Sequence, residues 1–298
     1  MGVRRHEIAE TAKRAAISTL KLIPSSVRGR SRRRVVLCYH SIDPELPFAS
    51  ASPTLFRGHL EWLKQHCNVV RFDEVQAVGI DVDERPTVAI TFDDGYLDNF
   101  THAYPALRAL ELPATFFVTV GLIERAPEVV GLFESQRRLR GVEGMTWDQL
   151  RELRDAGFSV ASHTYGHPNL ALLGRNEAAR EIRRGKEILE EKLQAPDTVF
   201  AYPFGKPGHH FTRETAELVR EAGYAAAGAI LFRGVEAGDD PFAIPRFFVR
   251  GDDLSTLEEK VCGRWDAVGW MQEHLPGGLA RTLFPADFAH DNEGIRDA

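Results

Sequence analysis

Several loops in the sequence hold the side chains that metal-assisted chemistry needs. The apolar run Thr87–Phe92 is followed directly by Asp93, Asp94 and Gly95. Adjacent carboxylates just past a buried strand repel each other unless a cation divides their roles, one ligating it and the other staying free as a base. Gly95 lets the chain turn sharply there. Read alone, the pair also fits an Asx-type turn capping the next helix. Farther on, Ser162-His163-Thr164-Tyr165-Gly166-His167 carries two imidazoles four positions apart. One helical turn in that loop would bring them to a point. Neutral imidazole suits zinc and its neighbours, although this spacing also arises by chance. Taken together, one aspartate with His163 and His167 leaves coordination positions open for water and substrate, as a catalytic zinc requires.

Three further residues fall at the same kind of place. Pro203-Phe204-Gly205 follows the run Thr198–Tyr202, and a backbone N–H turned inward there would stabilise an oxyanion; a plain turn reads the same way. His40 ends the first apolar run and is placed either to protonate a leaving amine or to pack as an ordinary histidine. Arg246, after Pro245 and beside the last strand, is suited to a bidentate contact with an aspartate or to a surface salt bridge.

The elements that must position these groups alternate. Strands are expected at 35–39, 69–70, 87–92, 115–120, 158–162, 198–202, 224–230 and 247–249. Helices are expected at 54–66, 98–110, 147–156, 176–193, 212–222 and 254–266. Seven or eight strands separated by helices predict an α/β fold with a parallel sheet. No GxGxxG or P-loop is present, so a closed (β/α) barrel is favoured over a nucleotide-binding open sheet. In such a barrel the working groups lie on the loops after the strands.

Composition sets the limits. The chain has 298 residues with 43% hydrophobic and 27% charged side chains, enough for a sizeable core. No run of 18 apolar residues predicts a membrane span. Residues 1–34 hold ten Lys/Arg and two acids, +8, so the net charge of −6 leaves −14 on the remainder. An acidic body argues against a nucleic-acid partner. The basic arm reads as an amphipathic helix near residues 6–22 and a linker, either solvated or resting on anionic lipid. It lacks the uninterrupted apolar stretch of a signal peptide, so a cytoplasmic or peripheral membrane location is expected. Cys38, Cys67 and Cys262 form no metal-binding or disulfide pattern.

Thr91-Phe-Asp-Asp-Gly95, Ser162-His-Thr-Tyr-Gly-His167 and Ala201-Tyr-Pro-Phe-Gly205, in that order, resemble the first three motifs of the polysaccharide deacetylases, the NodB-homology group of carbohydrate esterases. Leu37-Cys-Tyr-His40 and Met145-Thr-Trp147 resemble the poly-N-acetylglucosamine deacetylase subgroup. The resemblance covers roughly residues 35–250. It implies a distorted (β/α) barrel of seven or eight strands over residues 35–270, between the arm at 1–34 and a tail at 271–298. It also implies a metal-dependent hydrolase removing acetyl groups from an N-acetylated glycan or amino-sugar precursor. Asp94, His163 and His167 match the metal ligands, Asp93 the base, the Phe204 N–H the oxyanion donor and His40 the acid, with Tyr202 and Arg246 beside substrate. One divalent ion is implied, zinc first, with cobalt, nickel or manganese as alternatives. Two departures stand out: Ala201 replaces an arginine common in the family, for which Arg246 is the candidate substitute, and the late Leu-x-Leu-His motif is absent. A deformylase of a lipid-linked amino sugar and an impaired glycan-binding domain are the rival readings.

Overall fold

The computed structural model describes residues 32–46, 48–77, 83–137 and 140–274. The expected basic arm, apart from Arg32, Arg33 and Arg34, and the tail beyond His274 lie outside these residues.

Eight strands run in chain order: β1 (Arg34–Tyr39), β2 (Asn68–Val70), β3 (Thr87–Phe92), β4 (Thr115–Val118), β5 (Ser159–Ser162), β6 (Val199–Ala201), β7 (Ala226–Ile230) and β8 (Ile244–Phe248). All the strand pairings are parallel, and β1 pairs with both β8 and β3, so seven strands close into a barrel. The eighth, β2, lies against the first half of β3, at Thr87–Ala89, while β4 takes the second half at Thr91 and Phe92. The distorted barrel that the motifs imply is the fold observed.

Side chains alternate across each strand. Val36, Ala89, Phe117, Ala161, Val199, Ala201 and Ile244 form one inner cluster, closed at the strands' starting end by Phe72 and Val75. The intervening residues, such as Leu37, Ile90 and Phe116, pack outward against the helices. Local signals set those helices. Ser52 caps Pro53–His66, accepting from Leu55 N, and the helix buries Phe56, His59, Leu60 and Leu63. Thr146 and Gln149 form a capping box for Trp147–Asp155.

Four expectations are corrected. The segment expected as a helix over 98–110 is a π turn at Asn99–Ala103 leading into Tyr104–Ala109. Val120 is not in β4; it opens a short helix, Val120–Ile123. The helix Pro127–Arg137 was not anticipated, because its apolar residues follow no clear helical stripe. The last strand begins at Ile244 rather than Phe247, so Arg246 lies within it. Pro245 reads as a strand boundary, but β8 meets β1 only from Phe247 onward. A residue without an N–H is therefore tolerated on that still-open side.

Candidate metal centre

The first two loops meet above the barrel. Past the end of β3, Asp93 N donates to Tyr39 O at 2.9 Å, extending the ladder by one residue. The chain then turns left-handed, with φ +75° at Asp94 and +85° at Gly95, and Thr119 N donates to Asp94 O at 3.1 Å. This reverses successive carboxylates: Asp93 faces the barrel interior and Asp94 the loop after β5.

That loop does not make the expected helical turn. Thr164 and His167 both adopt positive φ, +66° and +58°, and His167 N donates to Thr164 Oγ1 at 2.9 Å. The effect is still convergence. Asp94 Oδ1 lies 3.3 Å from His167 Nε2 and 3.7 Å from His163 Nε2. Ligands about 2.0–2.1 Å from a tetrahedral ion stand about 3.4 Å apart, so the spacing is that of a shared cation. Asp94 Oδ1 is buried and accepts no hydrogen bond. An ionised oxygen left without a donor in the interior is costly unless a cation is its partner. His163 Nδ1 lies 2.8 Å from Ala201 O, which fixes the proton there and turns the Nε2 lone pair toward the cluster. The donor set therefore fits a divalent metal ion.

Burial pushes His163 down to about 4, so the imidazole is neutral and ready to ligate. Burial also opposes ionisation of Asp94, but His167, His40 and Arg137 outweigh it and hold the carboxyl well below the usual range. Arg137, the last residue of the unanticipated helix, donates from Nη2 to Asp94 Oδ2 at 2.9 Å and from Nε to Tyr96 Oη at 2.8 Å. Nothing in its local sequence separates Arg137 from any arginine ending a helix; its role is visible only in three dimensions.

Asp93 is 3% exposed and Arg246 fully buried. The guanidinium reaches across from β8 and grips both carboxylate oxygens, Nη1–Oδ1 at 2.7 Å and Nη2–Oδ2 at 2.8 Å. Burial raises the Asp93 pKa, but the attraction of Arg246, His163 and His40 leaves it below the ordinary value. Cys38 Sγ donates to Asp93 Oδ2 at 3.3 Å. His40 is half-buried at the rim, its ring centroid 4.9 Å from that of Phe248 in an edge-to-face contact, and its backbone is held by Ser50 Oγ and Asn99 Nδ2. Burial lowers the His40 pKa, partly offset by Asp94 and Asp93.

After β6 the chain turns through two left-handed residues, Phe204 at φ +60° and Gly205 at +70°. A Cβ on Gly205 would stand 2.6 Å from Ile230 Cγ1, so the turn admits no side chain. The Phe204 ring packs at 4.7 Å from that of His167, which puts this turn beside the cluster. Tyr202 is not brought to the site. Its ring stacks on Phe211 at 3.7 Å and its hydroxyl donates to Phe242 O at 2.9 Å, among the outer helices. It is two positions from buried Phe200, so strand alternation turns both outward.

Residues 81–227 match the family model described as polysaccharide deacetylase. The chain is 26% identical to YxkH of Bacillus subtilis over 192 residues, 63% of this chain and 61% of that protein, so it spans less than two thirds of that relative. It is 21% identical over 262 residues to the poly-beta-1,6-N-acetyl-D-glucosamine N-deacetylase of Staphylococcus aureus, covering 84% of this chain and 83% of that one. Among solved structures it is similar to IcaB from Ammonifex degensii, with a TM-score of 0.63, 28% identity, and coverage of 78% of this chain and 98% of that one.

Proposed function

This chain carries a polysaccharide deacetylase domain, and on that premise we propose that it is a divalent-metal-dependent hydrolase removing N-acetyl groups from an amino-sugar glycan or glycan precursor. The observation that carries this reading is the junction of two environments at one turn. Asp94 points to two imidazoles and has an oxygen without a donor, while Asp93, just before it in the chain, is ionised and clamped by Arg246.

In this reading Asp94, His163 and His167 hold the ion, zinc by the chemistry of its donors. When bound, a divalent ion acidifies a water and polarises the acyl oxygen. Asp93 accepts the proton from the attacking water, and the Arg246 fork keeps that carboxylate in one orientation. Phe204 N–H, which donates to no atom among the described residues, faces the charge that develops on the acyl oxygen. His40 gives a proton to the departing nitrogen, so that a neutral amine leaves. The residues 1–34 rest on anionic lipid in the same proposal, which flotation with phosphatidylglycerol vesicles at low and high salt tests.

The decisive experiment uses protein stripped of metal and reloaded with zinc or cobalt, incubated with N-acetylglucosamine oligomers. Acetate release that requires metal and vanishes in His163→Ala supports the reading. Formate release from an N-formyl amino sugar, with no acetate, shifts the substrate to the smaller acyl group. Turnover of neither by metal-loaded protein overturns it.

A further inference from the structure

A second group of ligating side chains lies next to the first. Cys38 and His40 are two residues apart at the end of β1, so strand alternation turns both to the same side. β3 pairs with β1 in register, Tyr39 opposite Phe92, which brings the following residue, Asp93, against them. Cys38 Sγ lies 3.3 Å from Asp93 Oδ2 and 4.0 Å from His40 Nδ1, and one ligand atom from each of the three lies within 4.8 Å of the others. For a metal at about 2.3 Å from sulfur and about 2.0–2.2 Å from nitrogen or oxygen, tetrahedral ligands stand about 3.6 Å apart. The cluster matches that spacing with small adjustments. Thiolate, imidazole and carboxylate together are a zinc-type donor set.

We propose that Cys38, His40 and Asp93 form a second, inhibitory site for a thiophilic divalent cation such as zinc. The cation takes the place of the thiol proton. The S–H that points at Asp93 Oδ2 is lost to solvent, a sulfur–metal bond forms, and the freed Oδ2 lone pair and His40 Nδ1 complete the protein ligands. No electrons are exchanged. Arg246 still holds Oδ1 through Nη1, so Asp93 need not leave its place. Occupation ties up the groups assigned above as base and acid. The loss of turnover therefore rests on the hydrolase reading, whereas binding at this site does not. The centre formed by Asp94, His163 and His167 contains no sulfur, and this gives the two sites different signatures.

Cobalt(II) titrated into the metal-stripped full-length protein reads them apart. The first equivalent is expected to give visible bands without a thiolate-to-metal charge-transfer band in the near ultraviolet. The second equivalent is expected to give that band, and to release one proton to a weakly buffered solution. Cys38→Ser should lose the band and the proton while keeping the first equivalent; Cys67→Ala with Cys262→Ala should keep both signals. With excess zinc, acetate release should fall in the wild type and not in Cys38→Ser. No thiolate band in the wild type at any cobalt loading overturns the site, as does a band that survives in Cys38→Ser. A band without inhibition leaves the site standing and overturns the role of His40 and Asp93 in turnover.

Discussion

At the scale of single residues, the Asp93–Arg246 pair separates positioning from metal binding. Asp93→Asn keeps its volume and leaves Asp94, His163 and His167 untouched, so that centre should still bind its one metal ion. Loss of a general base typically costs about 10²–10⁴-fold in rate, and acetate release should fall within that range. Near-normal turnover would remove Asp93 from the role of base. Arg246→Met leaves a carboxylate 3% exposed without its partner. Breaking one side of a buried pair costs about 3–5 kcal/mol, which urea unfolding of the metal-free protein measures. The double variant Asp93→Asn with Arg246→Met should recover part of that loss, since no orphan charge remains. Much of this centre was legible as residue types in order: the two aspartates, the two histidines and an arginine suited to a carboxylate. Tyr202 and Arg137 were not, for opposite reasons. Tyr202 sits in a motif whose neighbours serve the site, yet strand alternation turns its ring away. Arg137 reaches Asp94 from a helix with no motif of its own.

At the scale of elements, the barrel interior has to make room for a guanidinium. The inner cluster includes three small residues, Ala89, Ala161 and Ala201, and the guanidinium lies over the Phe117 ring, 5.4 Å from its centroid. Gly228 on β7 is closer still, since a Cβ there would lie 2.6 Å from Arg246 Nε and 2.8 Å from Cδ. The space left by the missing Cβ of Gly228 lets an arginine entering from β8 reach Asp93. Gly228→Ala should therefore displace the fork without altering any charge. A misplacement of about 1 Å costs on the order of 10²-fold in rate, and kcat is expected to fall by that much with metal affinity intact. If kcat were unchanged, Arg246 would not be positioning the base. The order of strands and helices was readable from periodicity, because each strand is a compact apolar run between turn residues. The course of β8 was not. Its proline marks an end in most sheets, and only the late arrival of β1 beside it makes Pro245 acceptable.

At the scale of the whole molecule, buried charge couples folding to what is bound. Metal held by Asp94, His163 and His167 binds the native state alone, because the unfolded chain scatters ligands that lie 69 and 73 positions from the aspartate. At a free metal concentration a thousand times Kd, the stabilisation is about 4 kcal/mol. For a domain of this size that corresponds to a Tm increase of about 8–16 °C, which calorimetry with and without zinc checks, and His163→Ala should remove this centre's share of it. A second buried carboxyl acts through protons instead. Asp197 is 2% exposed; Tyr224 Oη donates to its Oδ2 at 3.1 Å, and its Oδ1 has no partner. Burial, opposed by Lys186 and Tyr224, pushes its pKa from 3.8 up to about 8. A folded-state value above the unfolded one means that the native state binds the extra proton. The contribution is then fully present below about pH 4 and is lost as pH rises through 8. Between these limits this group lowers stability by up to about 1.4 kcal/mol per pH unit. Asp197→Asn removes the titration, so urea midpoints of the metal-free variant should depend less on pH between 5 and 8 than those of the wild type, and lie above them at pH 8. Parallel pH profiles for the two proteins would mean that Asp197 is ionised in the native state, with Lys186 as its effective counter-charge.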